Sequence, residues 1–280
     1  MTSPIALLGL TSDLLLWQLL LLTLISLLVG LLGGFLGLAL GTMRLPALLL
    51  MGVAPPIAAG TNILVSTLGA LAGSAGHLRE GRVVLRVVVV MGVPSVAGAF
   101  VGGFFGSRVP VSLLLAVAGA FVLWQGVELH LRSRRQRAAA SAPIRNQPTE
   151  ARPAMTPRRF TIESAIGLGI GLLGGAVGLI LGSMRLPVLI NTLRMDPRLA
   201  AGTNLVIGLL LGVSGFVGHG LQREVDLLLL LTMGTAAVLG SAYGARLTGR
   251  VNIDTLVRVM ALVLLIVGGL LLWRAVPLGS

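Results

Sequence analysis

The chain has 280 residues, 55% of them hydrophobic and 11% charged, with a formal net charge of +12 and no cysteine. A charged fraction under half of the roughly 25% found in soluble domains excludes an ordinary soluble fold, and the missing cysteines exclude disulfides and thiolate metal sites. All the basic side chains are arginines; they gather at the ends of apolar stretches and in one loop, which reads as orientation in a membrane and not as a nucleic-acid surface.

The first apolar stretch lies near 14–41. The residues before it carry Asp13 and no basic residue, so the basic start of a cleaved signal peptide is missing and the stretch is expected to stay as a helix. Further stretches near 57–78, 86–107 and 111–131 complete a first group of four. Residues 133–160 read "SRRQRAAASAPIRNQPTEARPAMTPRRF", without apolar periodicity, as a solvated and poorly ordered linker. A second group follows near 162–182, 199–220, 227–247 and 255–274. Each stretch approximates the ~20 residues that cross a bilayer as a helix. The expected fold class is an all-α integral membrane protein of about eight transmembrane helices, organised as 1–132, the linker 133–160, and 161–280.

The two groups repeat each other. Gly30–Leu45, "GLLGGFLGLALGTMRL", returns as Gly171–Leu186, "GLLGGAVGLILGSMRL", and "AAGTN" at 58–62 returns at 200–204. So long a match with one inserted residue marks an internal duplication. Four spans per half would make the halves parallel, with both termini, the linker, and the hairpins near 79–86 and 222–226 on one side. The linker arginines assign that side to the cytoplasm, and Trp17, Trp124 and Trp273 fall near helix ends on it as interfacial anchors. The stretch 45–54 is too short to cross as a helix, so a dip that enters and returns is expected after the first helix of each half.

Pro46 and Pro187 lack the N–H that would continue the preceding helix, and a break is expected at Gly41–Pro46 and Gly182–Pro187. Pro55-Pro56 and Pro197 mark the start of the next span. Broken backbone at membrane depth survives only inside protein or against a wet cavity, and matched breaks in two halves point to a transporter's site. Exposed helix N-termini suit an anion. Arg44 and Arg185 add forked cationic donors, and Thr61, Asn62, Thr203 and Asn204 add neutral hydrogen bonds. Gly60, Gly202, Gly41, Gly182, Thr42 and Ser183 complete the candidate set. Glycines spaced by four at 33, 37 and 41, at 98, 102 and 106, and at 174, 178 and 182 predict close helix packing. No carboxylate falls at the middle of a predicted span, which favours a small anion over a cation. His77 and His219 sit at predicted inner helix ends, as packing residues or proton carriers. The three histidines are too scattered for a metal site, and no cofactor is implied.

A glycine-rich helix, P-x-L, a later proline and A-x-G-T-N, occurring twice in that order, resemble the sulfite exporter TauE/SafE-like membrane transporters. The marks here are "GTMRLPALL" and "GSMRLPVLI", each followed by "AAGTN". The resemblance covers nearly the whole chain outside the linker and the first dozen residues. It implies movement of small anions, often sulfur oxyanions or organosulfonates, across the inner membrane. One departure is visible: where the family has G-x-G-G-G, this chain reads "GLALG" and "GLILG", so bulky residues replace inner glycines. The expected function is a secondary transporter or facilitator of sulfite, a sulfonate or a small carboxylate by alternating access, and not an enzyme. The alternatives are a membrane scaffold that recruits a partner through the linker and, further off, a membrane enzyme, for which Glu128 with His130 is the one close polar pair.

Overall fold

A computed structural model describes residues 14–36, 41–139, 157–247 and 254–275. Every regular element among them is helical. In chain order they are α1 (Leu16–Leu36), α2 (Gly41–Leu50) and α3 (Pro55–Arg79). Next comes α4, a rod made of Leu85–Val87, a π-helical turn Val88–Gly92, and Val93–Phe105. After α5 (Val111–Ala139) and α6 (Pro157–Val177) comes α7, Gly182–Pro187 running on as a π-helical turn Val188–Thr192. The chain ends with α8 (Pro197–Leu221), α9 (Leu227–Leu247) and α10 (Asp254–Ala275). Six helices are long and apolar enough to cross a membrane: α1, α3, α4, α5, α6 and α8. In α9 and α10 the apolar stretches found among the described residues are shorter, Leu227–Tyr243 and Leu264–Ala275.

The prolines at 55 and 197 open α3 and α8 as expected, since a first-turn residue needs no N–H partner. Pro46 and Pro187 do not break their helices. Pro46 lies inside α2, and Pro187 ends the α-helical part of α7, which continues as a wider π turn. In the second half the break lies earlier, at Gly178–Leu181. There α6 closes with Gly178 at φ +72, Gly178 N–H donating to Gly175 O (3.2 Å) and Leu179 N–H to Gly174 O (2.7 Å). That is a glycine cap, which a side chain would strain; a Cβ at Gly178 would also strike the backbone of Ala59. The matching stretch of the first half, 37–40, lies outside the described residues. The linker is shorter than 133–160, because α5 runs to Ala139 and α6 starts at Pro157; Arg, Gln and Ala carry the helix on. Residues 140–156 lie outside the described set.

Small residues set the packing. Gly98 and Gly102 of α4 and Gly106 just past its end face the backbone of α6 at Leu168, Leu172 and Ala176. Gly167, Gly171 and Gly175 of α6 face Met91, Ser95 and Ala99 in return. Partner numbers rise together, so α4 and α6 are parallel. The same contacts recur between α1 and α9: Gly30 packs on Ala237, Gly240 on Leu27, and Ser26 Oγ donates to Met233 O at 2.7 Å. In water-free surroundings such close backbone approach is a main source of helix association.

The central pairs run the other way. In α3 and α8, Ile63 meets Gly215, Thr67 meets Gly212 and Gly73 meets Leu205, so partner numbers fall as own numbers rise. In α5 and α10, Gly119 meets Leu272 and Gly126 meets Leu265. Both pairs are antiparallel. Moreover α3 runs parallel to α9, through Thr61 with Asp226 and Leu68 with Gly234, and therefore parallel to α1. The stretch between α1 and α3 must bring the chain back. It does: Met51 O, just past α2, accepts from Gln18 Nε2 at the start of α1 (3.4 Å).

This corrects the expected dip and the expected parallel halves. A ten-residue helix covers about 15 Å, and the residues on either side of it supply the rest of the return that the Gln18–Met51 contact fixes. Equivalent helices of the two halves are consequently antiparallel. The start of α1 and the end of α10 lie at one end of the bundle, called here the terminal end; the end of α5 and the start of α6 lie at the other, the linker end. Termini and linker do not share a side. Trp17 and Trp273, both well exposed at the terminal end, keep the expected company, while Trp124 sits in α5 nearer the linker end.

Candidate functional site

The two conserved-in-duplicate phrases deliver their arginines to the α3/α8 seam. Arg44 and Arg185 are both buried, at 3% and 0% exposure. Arg44 Nη2 donates to Ser66 Oγ (3.2 Å), and its Nε and Nη1 have no partner. Arg185 Nε donates to Asn204 Oδ1 (2.9 Å), and its Nη1 and Nη2 have no partner. Neither guanidinium makes an ion pair among the described residues. Ser66 and Asn204 lie short of the midpoints of α3 and α8, so in an antiparallel pair the arginines bracket the middle of the bundle from opposite sides. Thr67 and Ile180 pack on Gly212 at this seam, and Gly208 lies against Arg185, where a Cβ would stand 3.6 Å from Nη2 and 3.0 Å from Ile180 Cγ2.

Asn62 donates from Nδ2 to Gly178 O (2.8 Å) and so ties α3 to the break after α6; its Oδ1 is buried without a partner. Gly41 and Gly182 start α2 and α7 directly against these asparagines: a Cβ would lie 3.2 Å from Asn62 Nδ2 and 2.9 Å from Asn204 Nδ2. Thr42 is buried with its hydroxyl unpartnered, and Ser183 is half-buried. Arg44, Asn62, Ser66 and Gly41 thus gather at one place on α3, with Thr42 next to Gly41, and Arg185, Asn204 and Gly182 gather at the matching place on α8.

The neighbouring candidates do something else. Thr61 Oγ1 accepts from Asp226 N–H, and Thr203 Oγ1 accepts from Val84 N–H, both at 3.0 Å. Each threonine clamps the hairpin of the opposite half. Gly60 and Gly202 provide the room, since a Cβ at either would press on the Glu224 or Arg82 carbonyl. These four residues join the halves and do not face the arginines. The histidines are not on one side: His219 is buried at the terminal end, and His77 is half-buried at the linker end. Ser66, Gly208, Gly178 and Glu224 were not anticipated; Ser66 and Gly208 are paired by the 142-residue offset, and that pairing was a readable signal.

A helical bundle with glycine-packed helices and two buried, unpaired guanidiniums at matched positions is the build of a polytopic membrane transporter. The sequence agrees: residues 22–271 match the sulfite exporter TauE/SafE family, and the chain belongs to that family. It is 24% identical over 234 residues to the probable membrane transporter protein YunE of Bacillus subtilis (strain 168), covering 81% of this chain and 85% of that one. It is 26% identical over 191 residues to the probable membrane transporter protein YdhB of the same organism, covering 68% and 74%. No solved structure matches it significantly.

Proposed function

We propose that the protein carries a small anion, a sulfur oxyanion, sulfonate or small carboxylate, across the cell membrane by alternating access between two inverted halves. The carrying observation is the pair Arg44 and Arg185. A charged side chain in mid-membrane costs about 3 kcal/mol or more even on insertion scales, and neither residue offsets this with a carboxylate. Between them four guanidinium nitrogens, Nε and Nη1 of Arg44 and Nη1 and Nη2 of Arg185, point at no acceptor. An oxyanion supplies the missing acceptors in the geometry that guanidinium forks prefer. Gly41 and Gly182 let Ser66, Asn62 and Asn204 close on the starts of α2 and α7, which holds the arginines of those helices at the seam.

In this reading the chain crosses eight times as helices, with α2 and α7 as broken returns, and the two halves are related by an axis in the membrane plane. The linker end faces the cytoplasm. It carries Arg79, Arg82, Arg86, Arg194 and the four arginines of 132–137, against Arg108, Arg223 and Arg274 at the terminal end. The bias toward one end supports the assignment and puts the termini outside, reversing the expected termini.

The test is anion flux in proteoliposomes with sulfite, thiosulfate, methanesulfonate and acetate as probes. Replacing Arg44 and Arg185 together with Gln should lower flux by about a hundredfold or more, as loss of buried charged hydrogen bonds does, while the circular dichroism spectrum is kept. Flux unchanged in the double variant contradicts the site.

A further inference from the structure

His219 lies fully buried at the end of α8, held between two acceptors. Its Nδ1 is 2.7 Å from Glu224 Oε2, and its Nε2 is 2.8 Å from Gly175 O. A carbonyl oxygen can only accept, so Nε2 carries a hydrogen. An ionised Glu224 can only accept as well, so Nδ1 must then carry a second hydrogen. If Nδ1 is bare, the carboxyl must hold that proton instead. Either way the pair keeps one proton more than a neutral imidazole beside a carboxylate, an arrangement that would set lone pair against lone pair in a buried site.

Gly175 belongs to the last turn of α6, and the ring holds that turn through Nε2. From the elements packed around His219, α3 contributes Gly60, α4 contributes Gly103, and α6 contributes Gly175. None of these titrates. The charged groups nearby are those of the α8–α9 hairpin: Glu224 itself, the exposed Arg223, and Asp226, whose Oδ1 accepts from Leu229 N–H at the start of α9. Glu224 is 7% exposed and next to the exposed Arg223, which gives the pair a route to water at the terminal end.

The duplication did not keep this site twice. His77 occupies the equivalent place in α3, and the backbone around it is the same: Arg82 N–H donates to His77 O (2.9 Å) as Glu224 N–H donates to His219 O (3.0 Å). Arg82, however, stands where Glu224 stands, and His77 Nδ1 is buried without a partner. A cation has replaced the proton acceptor at the linker end.

We propose that His219 and Glu224 form a proton-binding site, open to the outer face, that couples anion movement to the proton gradient; the coupling rests on the transport reading above. One proton is taken from outer water onto the pair in the state that faces outward and is released to inner water in the state that faces inward, with no other bond made or broken. The link to the anion is short. Gly175 O, held by His219, also caps the turn to Gly178, whose carbonyl is held by Asn62 beside the arginines. Loss of the proton sets His219 against one of its two acceptors and frees the end of α6 from α8.

The test uses thiosulfate and methanesulfonate, which carry no proton near neutral pH, in proteoliposomes with and without an imposed pH gradient. Wild-type flux should rise about tenfold with the gradient, a typical coupling factor. Glu224→Gln should keep exchange of labelled for unlabelled anion and lose the response to the gradient. A Glu224→Gln protein that responds like wild type overturns the proposal. A second measurement does not depend on flux: nitrogen spectra of histidine-labelled protein, with His219→Gln identifying the signal. At neutral pH the His219 ring should show both nitrogens protonated or a strong hydrogen bond from carboxyl to Nδ1, and Glu224→Gln should abolish that signature. A single neutral tautomer unaffected by Glu224→Gln overturns the proton site. Absence of flux for every probe in wild type, with the nitrogen signature present, would instead remove the anion reading and leave the proton site standing.

Discussion

Arg185 is tied through Nε to Asn204 at 2.9 Å, whereas Arg44 passes over Asn62 and reaches Ser66 at 3.2 Å. The equivalent atoms of the first half, Arg44 Nε and Asn62 Oδ1, are both without partners. The reason is local: Ser66 offers the first arginine another acceptor, and its counterpart Gly208 offers the second none. Two copies of one phrase therefore hold the same guanidinium in two arrangements. In a carrier whose halves are inverted copies, such a difference is what separates one access state from the other. In the proposed reading, what the halves share, buried arginine and asparagine, serves the common cargo, while what they do not share, His219 with Glu224 against His77 with Arg82, sets direction.

That comparison can be broken most severely at the turn. Gly178→Val puts a side chain at φ +72 and against the Ala59 backbone. It should cost more than about 3 kcal/mol, read as loss of monodisperse protein after detergent extraction. A normal yield would mean that the break after α6 is not fixed by this glycine. A milder change, Ser66→Gly, makes the first half read like the second and frees Arg44 to swing to Asn62. Half-saturation for thiosulfate, measured separately from the two faces of sided liposomes, should shift between faces by about fivefold, the worth of one hydrogen bond. Equal values on both faces before and after would detach the latch from the access state.

The smallest effect concerns turns that are duplicated in backbone but not in sequence. Gly52 and Gly81 have positive φ, and so do their counterparts Arg194 and Arg223. Arg223→Gly should raise stability by roughly 0.5–1 kcal/mol, seen as a small upward shift in thermal unfolding. No gain would mean that the Arg223 side chain offsets its strained backbone.

Much of this was legible in the residues. The apolar stretches, the duplication, the prolines at 55 and 197 and the arginine–asparagine pairs all follow from local chemistry that a single sequence displays. The direction of the halves did not, because it depends on whether eighteen residues around α2 return or merely dip. A length rule for helices alone gives the wrong answer when residues outside the helix share the distance. The break was misplaced for a similar reason: proline at 46 and 187 is the louder signal, but a π-widened turn absorbs the second one, and the chain bends at a quieter glycine. Arg194 and Arg223 at positive φ were hidden because arginine does not advertise a left-handed turn, although alignment with Gly52 and Gly81 would have exposed them. Thr61 and Thr203 looked like ligand donors since their hydroxyls are polar and deep; only their hairpin partners assign them to joining the halves.

The inversion of the halves underlies the proposed anion site, the proposed proton site and the proposed outward termini. Because the chain is free of cysteine, it can be read with one engineered thiol at a time. Glu80 and Arg223 are exposed on equivalent hairpins, so parallel halves would put them on the same side. In intact cells, a membrane-impermeant maleimide should label the Arg223→Cys protein at once and the Glu80→Cys protein only after lysis. Labelling of both from outside, or of neither, would contradict the inverted arrangement.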